Sequence, residues 1–175
     1  MKRLLYSLAG RLPCRIISDN GRPYLERYYL ATILGVRFYL HRFVGSDPAR
    51  GLHDHPWPWA GSIILSGFYF EERRSNNGIM RPVRWFNWLT GDTFHRVVLP
   101  RPMPLAEKPE QPCWTLFFHR AANVKPWGFL RIPMDHGIVV WVPHDQHKGG
   151  NGSGHQGDWW NTAPIGKLEP RRMAP

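Results

Sequence analysis

Short apolar runs at close spacing constrain the fold of this chain more than any other feature. They are separated by turn sequences such as SNNG and LTGD and by a proline-rich connection over 100–112. Little helical periodicity lies between them, which predicts an all-β fold built as an antiparallel sandwich or barrel. The runs span residues 32–44, 62–73, 82–88, 93–99, 113–120, 127–132 and 137–142.

The first run alternates between apolar and polar side chains. One side carries Phe38 and Leu40, and the other carries Arg37, Tyr39 and His41. Successive side chains of a strand point to opposite faces of the sheet. The run therefore predicts a strand with Phe38 and Leu40 on its apolar side and His41 on its polar side.

The length and the distribution of glycine predict one domain with a tail. A chain of 175 residues favours a single core. We expect a β-barrel domain over 1–143 that begins with a short amphipathic helix. Residues 144–175 are rich in glycine and polar residues and predict an extended or wrap-around tail, with Trp159 and Trp160 as candidates to pin it to the barrel.

The formal net charge of +10 favours anionic partners. Most of the basic residues are arginines, whose guanidinium fork binds a carboxylate or a phosphate through two parallel hydrogen bonds. The arginines are spread along the chain without a dense run, so a solvated basic surface is the alternative and nucleic-acid binding is disfavoured. We expect a small anionic substrate, and a homodimer remains open.

Neither a membrane span nor a disulfide framework is predicted. No apolar run approaches the roughly 18 to 20 residues that a spanning helix needs. The opening residues imitate a signal peptide, but Arg11 interrupts a short apolar part, so we predict a cytoplasmic protein. Cys14 and Cys113 have neither zinc-ribbon nor disulfide spacing and are expected to be buried thiols.

Three histidines in two distant segments predict a shared site. His53 and His55 lie two residues apart, so in an extended segment both point to one side and Asp54 points away. His95 shares a strand face with Val97, which directs it inward. The alternative for the pair is a turn in which the imidazoles cap backbone groups beside neighbouring prolines.

These segments resemble the two motifs of the cupin superfamily, small jelly-roll barrels that often bind a metal. The first motif corresponds to HDH at 53–55 with Gly67 at a fitting distance, and the second to GDTFH at 91–95. Where many cupins carry a glutamate ligand, this chain has Trp59 or Ala60. The resemblance spans roughly residues 35–120 and implies an antiparallel jelly-roll barrel.

The resemblance implies one divalent metal ion held by His53, His55 and His95. Three neutral imidazoles leave open coordination positions, at nitrogen distances of about 2.0 to 2.2 Å. Among cupins the set is similar to that of thiol and diketone-cleaving dioxygenases. This favours Fe(II), with Zn, Ni or Mn as alternatives, and an oxidoreductase acting on a small molecule. A zinc ion would instead supply a hydroxide nucleophile.

Two further histidines are predicted to assist catalysis. His41 is a candidate fourth ligand, general acid or base, or partner of a ligand, with solvent exposure as the alternative. His119 ends a strand and is expected at the barrel rim. The spacing of Glu71 and Glu72 from the first motif argues against their being ligands.

Three other interpretations stay open at this point. One is a non-catalytic module that binds a sugar or a carboxylate, and another is a metal-dependent isomerase or epimerase that uses His41 or His119 as its base. The third places a metal in the tail, where ordering a glycine-rich segment costs about 1 to 2 kcal/mol per residue. Its ligands would come from His144, Asp145, His147, His155 and Asp158.

Overall fold

The computed structural model describes residues 1–102, 109–131, 138–144 and 158–175. These residues form one short helix and two antiparallel sheets of six strands each, as the all-β prediction requires. In chain order the elements are α1 (Lys2–Ala9), β1 (Cys14–Asp19), β2 (Arg22–Ile33), β3 (Val36–Phe43), β4 (Leu52–His53), β5 (Trp59–Ser66), β6 (Tyr69–Arg73), β7 (Arg81–Val83), β8 (Phe86–Thr90), β9 (His95–Val98), β10 (Cys113–Arg120), β11 (Gly128–Arg131) and β12 (Val140–Pro143).

The two sheets face each other, and the chain passes from one sheet to the other several times. The first sheet has the order β1-β2-β3-β10-β5-β8, and the second has the order β12-β11-β4-β9-β6-β7. Neighbours in sequence such as β5 and β6 therefore lie in different sheets. This is the double-sheet arrangement that a jelly-roll barrel requires.

The predicted runs locate most strands but miss several turns. The run 32–44 begins too early, because Leu34 and Gly35 have positive φ angles of 50° and 72° and form the turn between β2 and β3. The run 62–73 divides at Gly67, whose φ of 81° lets the chain leave one sheet for the other. The run 82–88 likewise divides into β7 and β8, and the predicted runs miss β1, β4 and all but the end of β2.

The side chains of β3 divide between two faces as predicted, but both faces contain buried residues. Tyr39 and His41 are 3% and 2% exposed and face the barrel interior. Leu40 lies on the outer face, where it packs with Tyr28 and Trp114. Alternation alone indicates which side chains share a face, and here the more polar set faces the interior.

The helix and the C-terminal residues cover the outer face of the first sheet. Ala9 of α1 belongs to the same cluster as Leu40. Arg42 donates hydrogen bonds to the backbone oxygens of Met173 and Ala174 at 2.7 and 2.8 Å. The described part of the predicted tail, residues 158–175, therefore packs on the barrel, whereas 145–157 lie outside the described residues.

Two predictions about individual residues agree with the structure. The ring of Trp160 stacks on Tyr29 at 4.1 Å, and Trp159 packs against Tyr39 at 6.3 Å, so both tryptophans contact the barrel. Cys14 and Cys113 are buried free thiols. Within the described ranges, no helix has the length and apolar character needed to cross a bilayer.

Candidate metal centre

The structure brings His53, His55 and His95 together inside the barrel. His53 ends β4 and pairs directly with His95 at the start of β9. One ring nitrogen from each of the three histidines lies within 4.8 Å of the others. Among the described residues these are the histidine, cysteine and acidic side chains whose positions suit a shared metal ion.

The spacing of the nitrogens suits ligands of one ion. Nε2 of His55 and Nε2 of His95 are 2.9 Å apart. Two nitrogens that each lie about 2.0 to 2.2 Å from one ion, at roughly a right angle, are about 3 Å apart. The two lone pairs can therefore meet on one cation without a change in the strand positions.

Burial keeps the imidazoles of His53 and His55 neutral, as metal binding requires. Burial lowers the pKa of His53 well below its ordinary value of 6.5, and the neighbouring His95 lowers it further. Burial likewise lowers the pKa of His55, followed by the effects of His53 and His95. Each of these rings then has a nitrogen lone pair available at neutral pH.

A buried aspartate and a glycine fix the loop that carries the first motif. Asp54 points away from the histidines, as its place between them predicts, and accepts hydrogen bonds from the Gly128 N–H at 2.6 Å and from Lys125 Nζ at 2.9 Å. Gly91 of the second motif packs beneath this loop. A Cβ there would lie 2.5 Å from the backbone oxygen of Trp57, so any side chain would displace the loop.

Glu71 contacts the histidine cluster, a relation that the sequence analysis missed. It is not one of the clustered ligands, but its Oε1 lies 2.8 Å from Nδ1 of His95, and its side chain is fully buried. Burial alone would raise the pKa of Glu71, but the hydrogen bonds from His95, Asn87 and Arg73 outweigh it and lower that pKa to about 2.

An ionised Glu71 fixes the orientation of His95. A carboxylate only accepts hydrogen bonds, so Nδ1 of His95 must carry the proton, and its Nε2 presents a lone pair to the other two histidines. In the β6–β9 strand pair, Glu71 lies opposite Val97, which is two residues from His95. The sequence does not specify that pairing.

The cluster lies in a cavity of about 390 Å³ between the sheets. This volume is within the range of small-molecule sites. Aromatic side chains, including Trp57 and Phe117, form part of its wall. Among the described residues, the charged side chains that line it are four arginines and one aspartate: Arg15, Arg27, Arg50, Arg171 and Asp47.

The two predicted catalytic histidines lie in different places. His41 lines the cavity, is buried, and accepts a hydrogen bond at Nε2 from Nε of Arg27 at 3.1 Å. Burial, and then the charge of Arg27, lower the pKa of His41 well below 6.5. The alternative of solvent exposure for this residue is therefore wrong.

His119 is buried beneath the cavity wall and not at the barrel rim. It is 2% exposed, stacks on Trp57 at 4.0 Å, and donates from Nδ1 to the Arg120 backbone oxygen at 2.7 Å. It does not belong to the described lining of the cavity. Burial follows from the inward face that His119 shares with Phe117 on β10, which extends beneath Trp57.

His144 also lines the cavity, although the sequence placed it in a tail site. Its ring stacks on Trp127 at 4.0 Å, and both residues contribute to the cavity wall. Of the other residues in the tail interpretation, Asp158 precedes a short 3-10 turn at Trp159–Asn161. Asp145, His147 and His155 lie outside the described residues.

Comparison with known proteins identifies the fold. No family model matches the chain, and no curated protein matches it. A cupin 2 conserved barrel domain protein from Rhodopseudomonas palustris superposes with a TM-score of 0.50 at 12% sequence identity, over 72% of this chain and 80% of that one. The chain has the cupin fold.

Other solved cupins superpose less closely. A cupin-2 domain from Rhodospirillum rubrum has a TM-score of 0.48 at 15% identity, over 72% of this chain and 78% of that one. A cupin-like protein from Thermotoga maritima has a TM-score of 0.43 at 14% identity, over 61% and 75%. In this cupin barrel, the three clustered histidines could hold one metal ion, with coordination positions left for other ligands.

Proposed function

We propose that His53, His55 and His95 bind one divalent metal ion, and that the protein is a dioxygenase-type oxidoreductase acting on a small anionic molecule. The observation that carries this proposal is the meeting of three imidazole nitrogens within 4.8 Å at the wall of a cavity between the two sheets. A bound Fe(II) would supply the chemistry with dioxygen, through the coordination positions that three protein ligands leave open.

The donor set suits Fe(II), zinc and nickel better than it suits manganese. Imidazole suits iron, zinc and nickel, whereas manganese is better suited by carboxylates, of which the cluster contains none. Zinc in the same site would favour hydrolysis through a bound hydroxide. Nickel is a further alternative, and elemental analysis distinguishes all four ions.

The residues of the chain prepare the site for this reaction. Glu71 holds the proton of His95 at Nδ1, so Nε2 stays available to the metal. Trp57 and Phe117 give the cavity an apolar part of its wall, against which the carbon skeleton of a substrate could pack. The arginines of the same cavity favour an anionic substrate.

The first test is the metal content of protein purified without oxygen. We expect close to one ion per chain in the wild type and less than about a tenth of that in His53→Ala or His95→Ala. His41→Gln changes a histidine of the same cavity outside the cluster and should keep the ion. Unchanged metal content in both alanine variants would contradict the proposal.

The second test distinguishes catalysis from binding. Oxygen consumption is followed with an electrode while small anionic molecules are added to the Fe(II)-loaded protein. Consumption that depends on both the compound and the ion supports an oxidoreductase. Saturable binding with no oxygen uptake identifies instead a non-catalytic binding module.

A metal-dependent isomerase or epimerase is the second candidate function. His41 favours it, because a neutral imidazole that lines the cavity is a possible general base. In the structure its Nε2 accepts a hydrogen bond from Arg27, so proton abstraction at that atom would require this bond to break. Exchange of a substrate C–H proton with deuterated solvent, without oxygen uptake, would identify this activity.

A further inference from the structure

The outer face of the first sheet differs between its two edges. Near β1 and β2 it is covered, and there Leu40 and Trp114 pack with Ala9 of α1. Phe38 lies on the same face of β3 as Leu40, two residues earlier, and pairs directly with Phe118 of β10. From Phe118 toward β8, at the other edge of the sheet, the side chains on this face are partly or largely exposed to solvent.

This second part of the face forms an outer aromatic patch over four adjacent strands, β3, β10, β5 and β8. Its members are Phe38, Phe118, Trp59, Ile63, Phe86 and Trp88. Their ring centres lie 6.0 Å apart for Phe38 and Phe118, 6.5 Å for Phe118 and Trp59, 5.4 Å for Trp59 and Trp88, and 6.4 Å for Trp88 and Phe86. All four distances are in the range of aromatic contacts, so the rings form one continuous series.

A glycine makes room for the central ring of the patch. Gly61 of β5 lies directly opposite Phe118 on one side and Trp88 on the other. A Cβ at Gly61 would lie 2.4 Å from the ring of Phe118. The ring therefore occupies the space above the glycine, and aromatic side chains, not backbone, form the surface of the sheet at this point.

The patch has the size and the composition of an interaction surface. Phe86, Trp88 and Ile63 are 52%, 46% and 40% exposed. Together with the less exposed rings beside them, they present about 400 Å² of contiguous apolar surface, which is large for a protein without a partner. The segments 59–63, 86–90 and 116–118 contain no charged residue, although the net charge of the chain is +10. Aromatic enrichment and the depletion of charge are typical of the core of a protein interface.

The contacts of the nearest arginines favour a protein partner over an anionic lipid surface. Arg84 precedes β8, and its guanidinium carbon lies 4.3 Å from the centre of the Phe68 ring. Arg120 ends β10 and donates from Nη1 to the backbone oxygen of Leu34 at 3.1 Å. Both arginines thus contact groups of their own chain, whereas binding to anionic lipid uses basic side chains next to the inserted aromatic residues. Apolar contact is the interaction that the patch offers.

We infer that the outer aromatic patch is the interface of a homodimer, in which two copies of the chain pack these sheet faces against each other about a twofold axis. In such a contact the same patch is used by both copies. The patch supplies about half of the roughly 800 Å² that each partner buries in a standard interface, and a polar rim supplies the rest. A contact of this size is consistent with a dissociation constant of about 1 to 10 µM.

The test is sedimentation velocity of the whole chain over a range of concentrations around that constant. We expect the wild type to change from monomer to dimer as its concentration rises. Ile63→Asp places a charge within the contact on both copies and should weaken the dimer at least about 100-fold. Ile79→Asp is the matched control, because Ile79 is 71% exposed but lies between β6 and β7 of the second sheet. It should leave the dissociation constant unchanged.

A second variant keeps the inference testable if Ile63→Asp fails to fold. Trp88→Thr removes an indole from the patch but introduces a β-branched residue, which suits an exposed strand position. Tryptophan is among the residues that contribute most to interfaces, so this change should weaken the dimer at least about tenfold. Circular dichroism verifies that the variant retains the β-sheet signal of the wild type.

The dependence on salt distinguishes the two kinds of partner. Each copy has a net charge of +10, so salt screens the repulsion between copies, and the dimer should persist or become tighter as NaCl is raised. Binding to phosphatidylserine vesicles would instead weaken with salt. A wild type that stays monomeric, an equal loss in Ile79→Asp, or binding to these vesicles that depends on Trp88 without any dimer would overturn the inference.

The inference does not depend on the proposed function. The patch lies on the outer face of the sheet, whereas Tyr39 and His41 of the same sheet face the cavity. Ile63→Asp should therefore keep the metal content of the wild type. A dimer that contains no metal supports the inference and contradicts only the metal proposal, and a monomer with a full metal content has the opposite meaning.

Discussion

Glu26 and Glu71 are both fully buried carboxylates with arginine partners, yet they serve different parts of the molecule. Glu26 accepts hydrogen bonds from Tyr28 at 2.6 Å and from the Met173 N–H at 2.8 Å, so it joins the outer face of the first sheet to the C-terminal residues. Glu71 accepts a hydrogen bond from His95 and so orients a candidate ligand.

The difference between the two glutamates shows what a buried ion pair indicates. Burial and an arginine partner are common to both, so neither property identifies a functional site. The distinguishing property is the third partner: a backbone N–H for Glu26 and an imidazole of the histidine cluster for Glu71. Four predictions test this division between a glutamate that stabilises the fold, Glu26, and a glutamate that orients a candidate ligand, Glu71.

The largest expected effect is that of Glu26→Ala on stability. Removing the carboxylate leaves Arg42, which is 3% exposed, without its buried counter-charge, and breaks the contact with Met173. We expect a loss of about 3 to 5 kcal/mol in the free energy of unfolding, measured by urea denaturation. Metal content per folded chain should not change, and a parallel loss of metal would contradict the division.

The second effect is the stabilisation by the metal. Addition of Fe(II) without oxygen, at about 100 times its dissociation constant, should raise the free energy of unfolding by about 2.7 kcal/mol. The same increment is expected in Glu26→Ala, provided that this variant folds. His95→Ala serves as the control, and an increment that persists in it would show that the ion binds elsewhere.

The third effect is the loss of metal affinity in Glu71→Gln. Glutamine is nearly isosteric with glutamate but uncharged. It therefore orients His95 more weakly and leaves the imidazole of His95 less basic. We expect a decrease of roughly 10- to 100-fold in affinity for the ion, measured by competition with a chelator. Equal affinity in variant and wild type would show that Glu71 is only structural.

The smallest effect is expected from the neighbouring carboxylate. Glu72 also pairs with an arginine, Arg96, but the two side chains are 20% and 28% exposed. Glu72→Gln should change the free energy of unfolding by less than about 1 kcal/mol. Glu72 is adjacent to Glu71 and therefore lies on the opposite face of the strand. Glu72→Gln should thus also leave the metal affinity unchanged.

The sequence predicted the fold class and the meeting of the histidines for physical reasons. The period of two and the intervening turns define strands, and β10 was predicted with its observed ends. The spacing of His53 and His55 fixes a common side, and the inward face of β9 brings His95 to it. Such features depend on local geometry and are therefore visible in the sequence.

The remaining features depend on which strands pair. The relation of Glu71 to His95 exists only because β6 lies beside β9. Strand pairing of this kind has no signal in a single sequence. The sequence also left open which face of β3 is inside, because the outer face is covered by the two ends of the chain, which are distant in sequence.

The position of Trp57 gives the site its own optical probe. Its indole ring lies nearly parallel to the imidazole of His55, with the ring centres 4.7 Å apart and an angle of 15° between the planes. A paramagnetic ion bound to that imidazole would quench the emission of this indole more strongly than that of the more distant tryptophans. Binding of the ion could thus be followed by fluorescence in real time without a label. Trp57→Phe, which lacks this indole, is the control.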